Sequence, residues 1–236
     1  MSELTRVGLL AGMSWQSSQQ YYRRLNELVG ERVGGYASAP VTLHSVDFAE
    51  IHELQVAGDW DAQGQLLNRA ALALQAGGVG AVALATNTLH LVAEQISAGL
   101  EVPFIDLIDV VGERVAATGT QTVGLLATGY TMRSDLYARR FAKFGVEVLV
   151  PEPDDLELVH QIIYNELVKG VITPDSRARY LEVIGRLTDR GATGVILGCT
   201  EIPLLLQQSD TPIPLFDTTE LHCQVLADII VNGAQQ

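Results

Sequence analysis

The stretch VGLLAGMSWQSSQQYYRRL, residues 7–25, lies over VGLLATGYTMRSDLYARRF, residues 123–141, without a gap. Gly8 meets Gly124, Ser18 meets Ser134, Tyr21 meets Tyr137, and Arg23-Arg24 meet Arg139-Arg140. Each copy opens with a short aliphatic run and continues into a segment with helical spacing, the signature of a buried strand feeding a helix. The copies continue to match downstream. GAVALATNT (from Gly80) parallels GVILGCTE (from Gly194), with Thr86 on Cys199. VPFID parallels IPLFD, with Pro103 on Pro214 and Asp106 on Asp217. The spacing between partners shortens by only a few residues along the chain, the size of small loop differences. The chain therefore reads as two similar halves.

Eight short runs read as parallel strands: RVGLLA, PVTLHSV, GAVALAT, VPFIDL, QTVGLLAT, VEVLVP, GVILGC and IPLFD. Amphipathic segments such as SSQQYYRRLNELVGERV (17–33) and DSRARYLEVIGRLTDRG (175–191) lie between most of them. This alternation predicts an α/β fold of two α/β/α lobes, each with a parallel four-stranded sheet, related by a pseudo-two-fold with the active site in the cleft between them. The expected N-terminal lobe is 1–100 plus 215–236, and the C-terminal lobe is 101–214. Ligands of open parallel sheets bind beyond the C-terminal strand ends. Thr86 and Cys199 stand at such ends.

Composition narrows the function. The 236 residues are 47% hydrophobic and 18% charged, which suits a folded α/β protein rather than a disordered chain. A net charge of −13 argues against nucleic acid as a partner. Two cysteines, Cys199 and Cys223, cannot form a disulfide framework. The opening MSELTRVGLL does not read as a signal peptide, and no apolar run is long enough to span a membrane. A cytoplasmic protein with reduced thiols and no membrane partner is expected. His44, His52, His160 and His222 show no metal-ligand spacing, so no metal is expected. Gly77, Gly78 and Gly80 precede a strand instead of opening a helix, which is not a dinucleotide fingerprint.

Several polar residues at the strand ends have both a structural and a chemical use. A free cysteine is often a small buried hydrophobe. Cys199 differs in standing at a strand terminus before Thr200-Glu201, where a nucleophile or base is placed. Thr86 alone would be a strand-end or capping residue, and its register against Cys199 is what singles it out. Asn87, Thr88 and Thr200 can cap the following helices and bind a carboxylate with the same donors. Glu201 suits the first turn of a helix. His90 follows the Thr86 motif by one helical turn and reads as a structural hydrogen bonder. Cys223, in ELHCQVLADII, reads as core.

The set GMSW with YY (12–15, 21–22), HSVDF (44–48), TNTLH (86–90), LLATGYTM (125–132), GCTE (198–201) and FDT (216–218) resembles the cofactor-independent aspartate/glutamate racemases over almost the whole chain. Family members carry two facing cysteines, one per lobe. Cys199 matches the second, and Thr86 stands where most members have the first, as in a subgroup acting on L-aspartate and L-glutamate. The resemblance implies an isomerase for a small dicarboxylic amino acid, working without a cofactor, with Thr86 and Cys199 as the catalytic pair. It implies substrate contact by Thr128 and Thr131, a supporting role for Ser14, and a position for Glu201 close to the cysteine. It also implies a homodimer, and QQYYRRLNELVGERV (19–33) carries aromatic and aliphatic residues that a monomer would leave partly exposed.

One departure stands out. Some aspartate-specific members of the family the chain resembles hold the distal carboxylate with an Arg shortly after the second strand and a Lys on the helix near residue 168. Here AEIHELQ follows HSVDF with no Arg, and Lys169 falls one step off the Lys position, a turn of about 100° on a helix. Gln55 and Met13 are the local candidates for the distal end of the substrate. Two other functions fit parts of the pattern. A one-cysteine decarboxylase of the same superfamily needs a single proton donor, and a two-lobed binding protein for a small acid needs no proton transfer.

A cysteine thiolate is an accessible base, with an ordinary pKa of about 8.5 that donors can lower. A threonine hydroxyl is far less acidic and serves better as a proton donor to a carbanion, directly or through a water. The carbanion itself would be stabilised by hydrogen-bond donors on the α-carboxylate.

Overall fold

A computed structural model describes residues 3–234. The chain forms two compact units, one running to Leu107 and resuming at His222, the other Ile108–Leu221.

The first unit holds strands β1 (Val7–Ala11), β2 (Val41–Ser45), β3 (Ala81–Leu84) and β4 (Phe104–Ile105). Its helices are α1 (Trp15–Val33), α2 (Phe48–Ala57), α3 (Trp60–Ala76) and the short α4 (Ala93–Ser97). All pairings are parallel and the sheet order is β2-β1-β3-β4. Alternation along β1 sends Val7, Leu9 and Ala11 into one core, with Tyr21, Leu25 and Val29 of α1. Leu10 enters the other core, with Leu67, Ala71 and Leu74 of α3.

The second unit repeats the plan. Helix α5 (Leu107–Ala117) leads to β5 (Thr122–Ala127), α6 (Gly129–Met132) and α7 (Leu136–Ala142). Then come β6 (Glu147–Leu149), α8 (Pro153–Asn165), α9 (Pro174–Asp189) and β7 (Gly194–Gly198). The one-turn α10 (Ile202–Leu205), β8 (Leu215–Asp217) and α11 (Thr218–Asn232) end the chain. The sheet is parallel in the order β6-β5-β7-β8.

All eight expected strands are present, but the division between the lobes falls later than 100/101 and 214/215. Strand β4 pairs with β3, so 101–107 belong to the first unit, and β8 pairs with β7, so 215–221 belong to the second. The repeated Gly8 and Gly124 have one packing role. A Cβ on Gly8 would lie 3.2 Å from Leu74 Cβ of α3, and one on Gly124 would lie 2.8 Å from Leu187 Cδ1 of α9. Both glycines let a helix close on the centre of its sheet.

Two buried histidines brace the end of β4. His222, from α11, lies 3.1 Å from the Ile105 carbonyl through Nε2 and 3.0 Å from the Tyr21 hydroxyl through Nδ1. A carbonyl only accepts, so Nε2 carries the hydrogen and Nδ1 accepts from Tyr21. Burial pulls the His222 pKa down to about 3, with the neighbouring His90 a smaller cause. Between an ordinary value near 6.5 and this lowered one, the unfolded chain binds a proton that the folded chain does not. Stability therefore falls as pH is lowered through this window, by about 1.4 kcal/mol per pH unit from this group. Urea unfolding between pH 6.5 and 4.5 should show this extra acid slope in the native chain and its loss in His222→Gln. Equal slopes in the two proteins would refute the assignment.

Candidate functional site

In each unit one central strand, β3 in the first and β7 in the second, runs out into polar residues. In the first sheet Leu10 of β1 pairs with Leu84 of β3, and Thr86 lies two residues beyond. In the second, Leu126 of β5 pairs with Leu197 of β7, and Cys199 lies two residues beyond. The two residues therefore occupy the same register position of equivalent sheets.

Around Thr86 the chain turns into a short 3₁₀ segment, Thr88–Val92, before α4. Thr86, Asn87, Thr88 and His90 are all buried. His90 Nδ1 lies 2.8 Å from the Thr86 carbonyl, and its Nε2 accepts from the Leu107 N–H at 3.1 Å. Nδ1–H must donate to Thr86, so the ring is neutral and its tautomer is set. His90 thus fixes the backbone of Thr86 and is not a free acid or base.

In the same unit, Gly12 follows β1 at φ 98°, and a Cβ there would strike the Val46 backbone. The Gly12 N–H donates to Ser18 Oγ at 2.8 Å, and Ser14 caps α1 by accepting from the Ser17 N–H. Met13 and Ser14 are buried here at the C-terminal end of β1. Gln55 is buried on α2.

In the second unit Cys199 is buried and reduced. Its thiol donates to Glu201 Oε2 at 3.0 Å, and the same oxygen accepts from Thr200 Oγ1 at 2.9 Å. Glu201 precedes α10 without capping it by its side chain, so its carboxylate serves the thiol instead of the helix. Burial pushes the Cys199 thiol well above its ordinary pKa, and the charge and hydrogen bond of Glu201 push the same way. The N–H groups of Glu201 and Thr200 act in the opposite sense. Cys199 therefore rests as a thiol, not as the accessible thiolate expected from its sequence context. The reason is physical: α10 is a single turn, too short to build a strong dipole, while a buried carboxylate stands against the sulfur.

Thr128 ends β5 and caps α6. Its Oγ1 lies 3.2 Å from Thr131 Oγ1 and accepts from the Thr131 N–H. Lys169 is exposed at the end of the 3₁₀ turn Leu167–Lys169, beyond the end of α8, and not on a regular helix.

Sequence reasoning missed Tyr130, Tyr164 and Tyr180. Burial raises the Tyr164 and Tyr180 pKa values, and Cys199 acts in the same sense on both whenever its thiol ionises. Tyr164 and Tyr130 meet His160 edge-on, with centroids 4.8 and 5.8 Å away. The i, i+4 spacing of His160 and Tyr164 on one helix face was the available signal. Among the described residues, no group of three or more His, Cys, Asp or Glu could hold a metal ion, and no helix is long and apolar enough to cross a membrane.

The Asp/Glu/Hydantoin racemase profile matches residues 10–226, and the chain belongs to that family. A crystal structure from Yersinia pestis, described as a candidate Asp/Glu racemase, shares 41% identity at a TM-score of 0.90, covering 97% of this chain and 100% of that one. An aspartate racemase homologue from Pyrococcus horikoshii OT3 shares 31% at a TM-score of 0.85, covering 97% and 100%. A glutamate racemase of Deinococcus radiodurans is 33% identical over 59% of this chain and 48% of its own length, so the match spans about half of that relative.

Proposed function

We propose that the protein is a racemase for aspartate or glutamate that works without pyridoxal phosphate or metal. The observation that carries this reading is the buried Cys199–Glu201 pair at the strand end whose register counterpart in the other unit is Thr86. Substrate binding brings the α-hydrogen to sulfur as the thiol proton passes to Glu201, the carboxylate already bonded to it. The thiolate then removes the α-proton, and a proton returns to the opposite face from Thr86 or a water that it orients. Asn87, Thr88, Thr128, Thr131 and Thr200 supply donors for the α-carboxylate, where charge develops in the carbanion. Met13, Gln55 and Lys169 serve the side-chain end of the substrate, with Ser14 supporting the Met13 turn.

The test is incubation in heavy water with each enantiomer of aspartate and glutamate, followed by NMR of the α-proton. Exchange accompanied by inversion is expected, and it should survive EDTA and hydroxylamine. Decarboxylation, tight binding without exchange, or EDTA inhibition that added metal reverses would each overturn the reading.

A homodimer belongs to the same proposal. On α1, Trp15 and Tyr22 are 64% and 53% exposed, while Tyr21 and Leu25 are buried. Light scattering at micromolar concentration should return twice the 25.5 kDa chain mass. A monomer mass would refute it.

A further inference from the structure

The site chemistry above leaves His160 unused, yet His160 grips the turn that carries Thr128 and Thr131. It lies on α8, and its Nδ1 accepts the Gly129 N–H at 3.1 Å. Gly129 is the first residue of α6, between the two threonines. A Cβ at position 129 would lie 3.3 Å from His160 Cγ and 2.5 Å from Arg133 Nη1, so the imidazole and the guanidinium close directly on this peptide. Tyr130 stands at 90° to the ring and Tyr164 at 61°, which fixes its plane. Tyr164 in turn couples electrostatically to Glu201 and, when its thiol ionises, to Cys199.

We propose that His160 is a positioning residue for the substrate carboxylate, holding the Thr128–Thr131 turn through the Gly129 N–H as the neutral Nε2–H tautomer. The inference rests on the reading of that turn as substrate-binding. An imidazole that accepts at Nδ1 must carry its hydrogen on Nε2. A second proton would occupy Nδ1, remove the acceptor and set two N–H groups against each other.

The surroundings favour the neutral ring. Burial lowers the His160 pKa, and Arg133, at the end of α6, lowers it further. Glu157, one turn earlier on α8, acts in the opposite sense. Its carboxylate is already engaged by Arg133 at 2.6 Å and by Gln161 at 2.7 Å. Tyr130 and Tyr164 also stand against the ring. The grip therefore holds at neutral pH and is released as pH falls below the ordinary histidine range.

The test compares native protein, His160→Leu, His160→Asn and Thr128→Val in α-proton exchange on L-aspartate and L-glutamate, with melting temperatures as the folding control. His160→Leu should raise KM about 10-fold and leave kcat within about 2-fold, as loss of one part-buried acceptor implies. Asn offers Oδ1 close to the position of Nδ1, so His160→Asn should restore KM to within about 3-fold. In the native protein KM should climb on the acid side, and in His160→Asn this rise should be absent. Nitrogen-15 NMR of the histidines should show His160 as the Nε2–H tautomer, a readout that does not depend on any variant folding.

Three results would overturn the inference. The first is an unchanged KM in a folded His160→Leu while Thr128→Val raises it. The second is failure of His160→Asn to restore KM at an unchanged melting temperature. The third is an Nδ1–H tautomer. If Thr128→Val itself leaves KM unchanged, the turn does not hold substrate, and both the reading and the inference built on it fall.

Discussion

Cys199→Ala should lower α-proton exchange from the L enantiomer by at least about 10³-fold, because the reaction loses the thiolate that takes the proton, and the Glu201 carboxylate behind it is a far weaker base. Thr200 offers a hydroxyl already donated to Glu201. Tyr164 and Tyr180 are held protonated by burial. A folded Cys199→Ala that retained exchange would sink the assignment.

The partner variant, Glu201→Gln, separates two roles of the carboxylate. Its charge and its hydrogen bond both hold the Cys199 thiol protonated. Replacing it with a neutral amide should therefore lower the thiol pKa, and each pKa unit means about tenfold more thiolate while the thiol form dominates. Alkylation of Cys199 by iodoacetamide at fixed mild pH should become faster. Catalytic exchange should become slower, because the proton that left sulfur for Glu201 has lost its acceptor. Reactivity and activity move in opposite directions only if Glu201 is the proton's destination. A parallel fall in both would make Glu201 a structural residue.

The strand pattern was legible because buried parallel strands are nearly continuous aliphatic runs, and the repeat supplied each one twice. The register of Thr86 against Cys199 followed from the same repeat, and the paired leucines Leu84 and Leu197 place both residues two positions past their strands. The unit boundaries were less legible. The second falls between Leu221 and His222, inside α11, where no glycine, proline or change of composition marks it. The state of the thiol was hidden for another reason. Glu201 two residues after Cys199 fits a helix-start carboxylate as well as a thiol partner, and only the side-chain geometry decides between them. His160, Tyr130 and Tyr164 come from two helices separated by α7 and β6, so no single motif contains them.

Thr86→Cys should raise α-proton exchange from the D enantiomers by at least about 10-fold, and thermodynamics shows why exchange, not net conversion, is the quantity to follow. In an achiral solvent the L and D forms are equal in free energy, so kcat/KM for conversion must match in the two directions, whatever the residues. Washout of the α-proton into heavy water carries no such constraint. In the proposed reading Cys199 faces the α-hydrogen of the L form, as resemblance to the Thr/Cys subgroup implies, so from the L side it can remove the proton and return deuterium to the same face many times before a crossing occurs. From the D side, Thr86 must be the first base, and its hydroxyl is far less acidic than a thiol. The native protein should therefore wash out L faster than D, and racemisation should be as slow as the Thr86 step.

Placing a thiol at position 86 supplies a competent base on that side. The substitution is mild for the fold. It removes one methyl and exchanges oxygen for sulfur in a buried side chain, a change of about 1 kcal/mol. The His90 bond reaches the Thr86 carbonyl and not its hydroxyl, so the backbone anchor survives the change. The ratio of L to D washout should move toward one in Thr86→Cys, with L washout within a few-fold of native. D washout that stays at background in the folded variant would mean that position 86 does not serve the second face of the α-carbon.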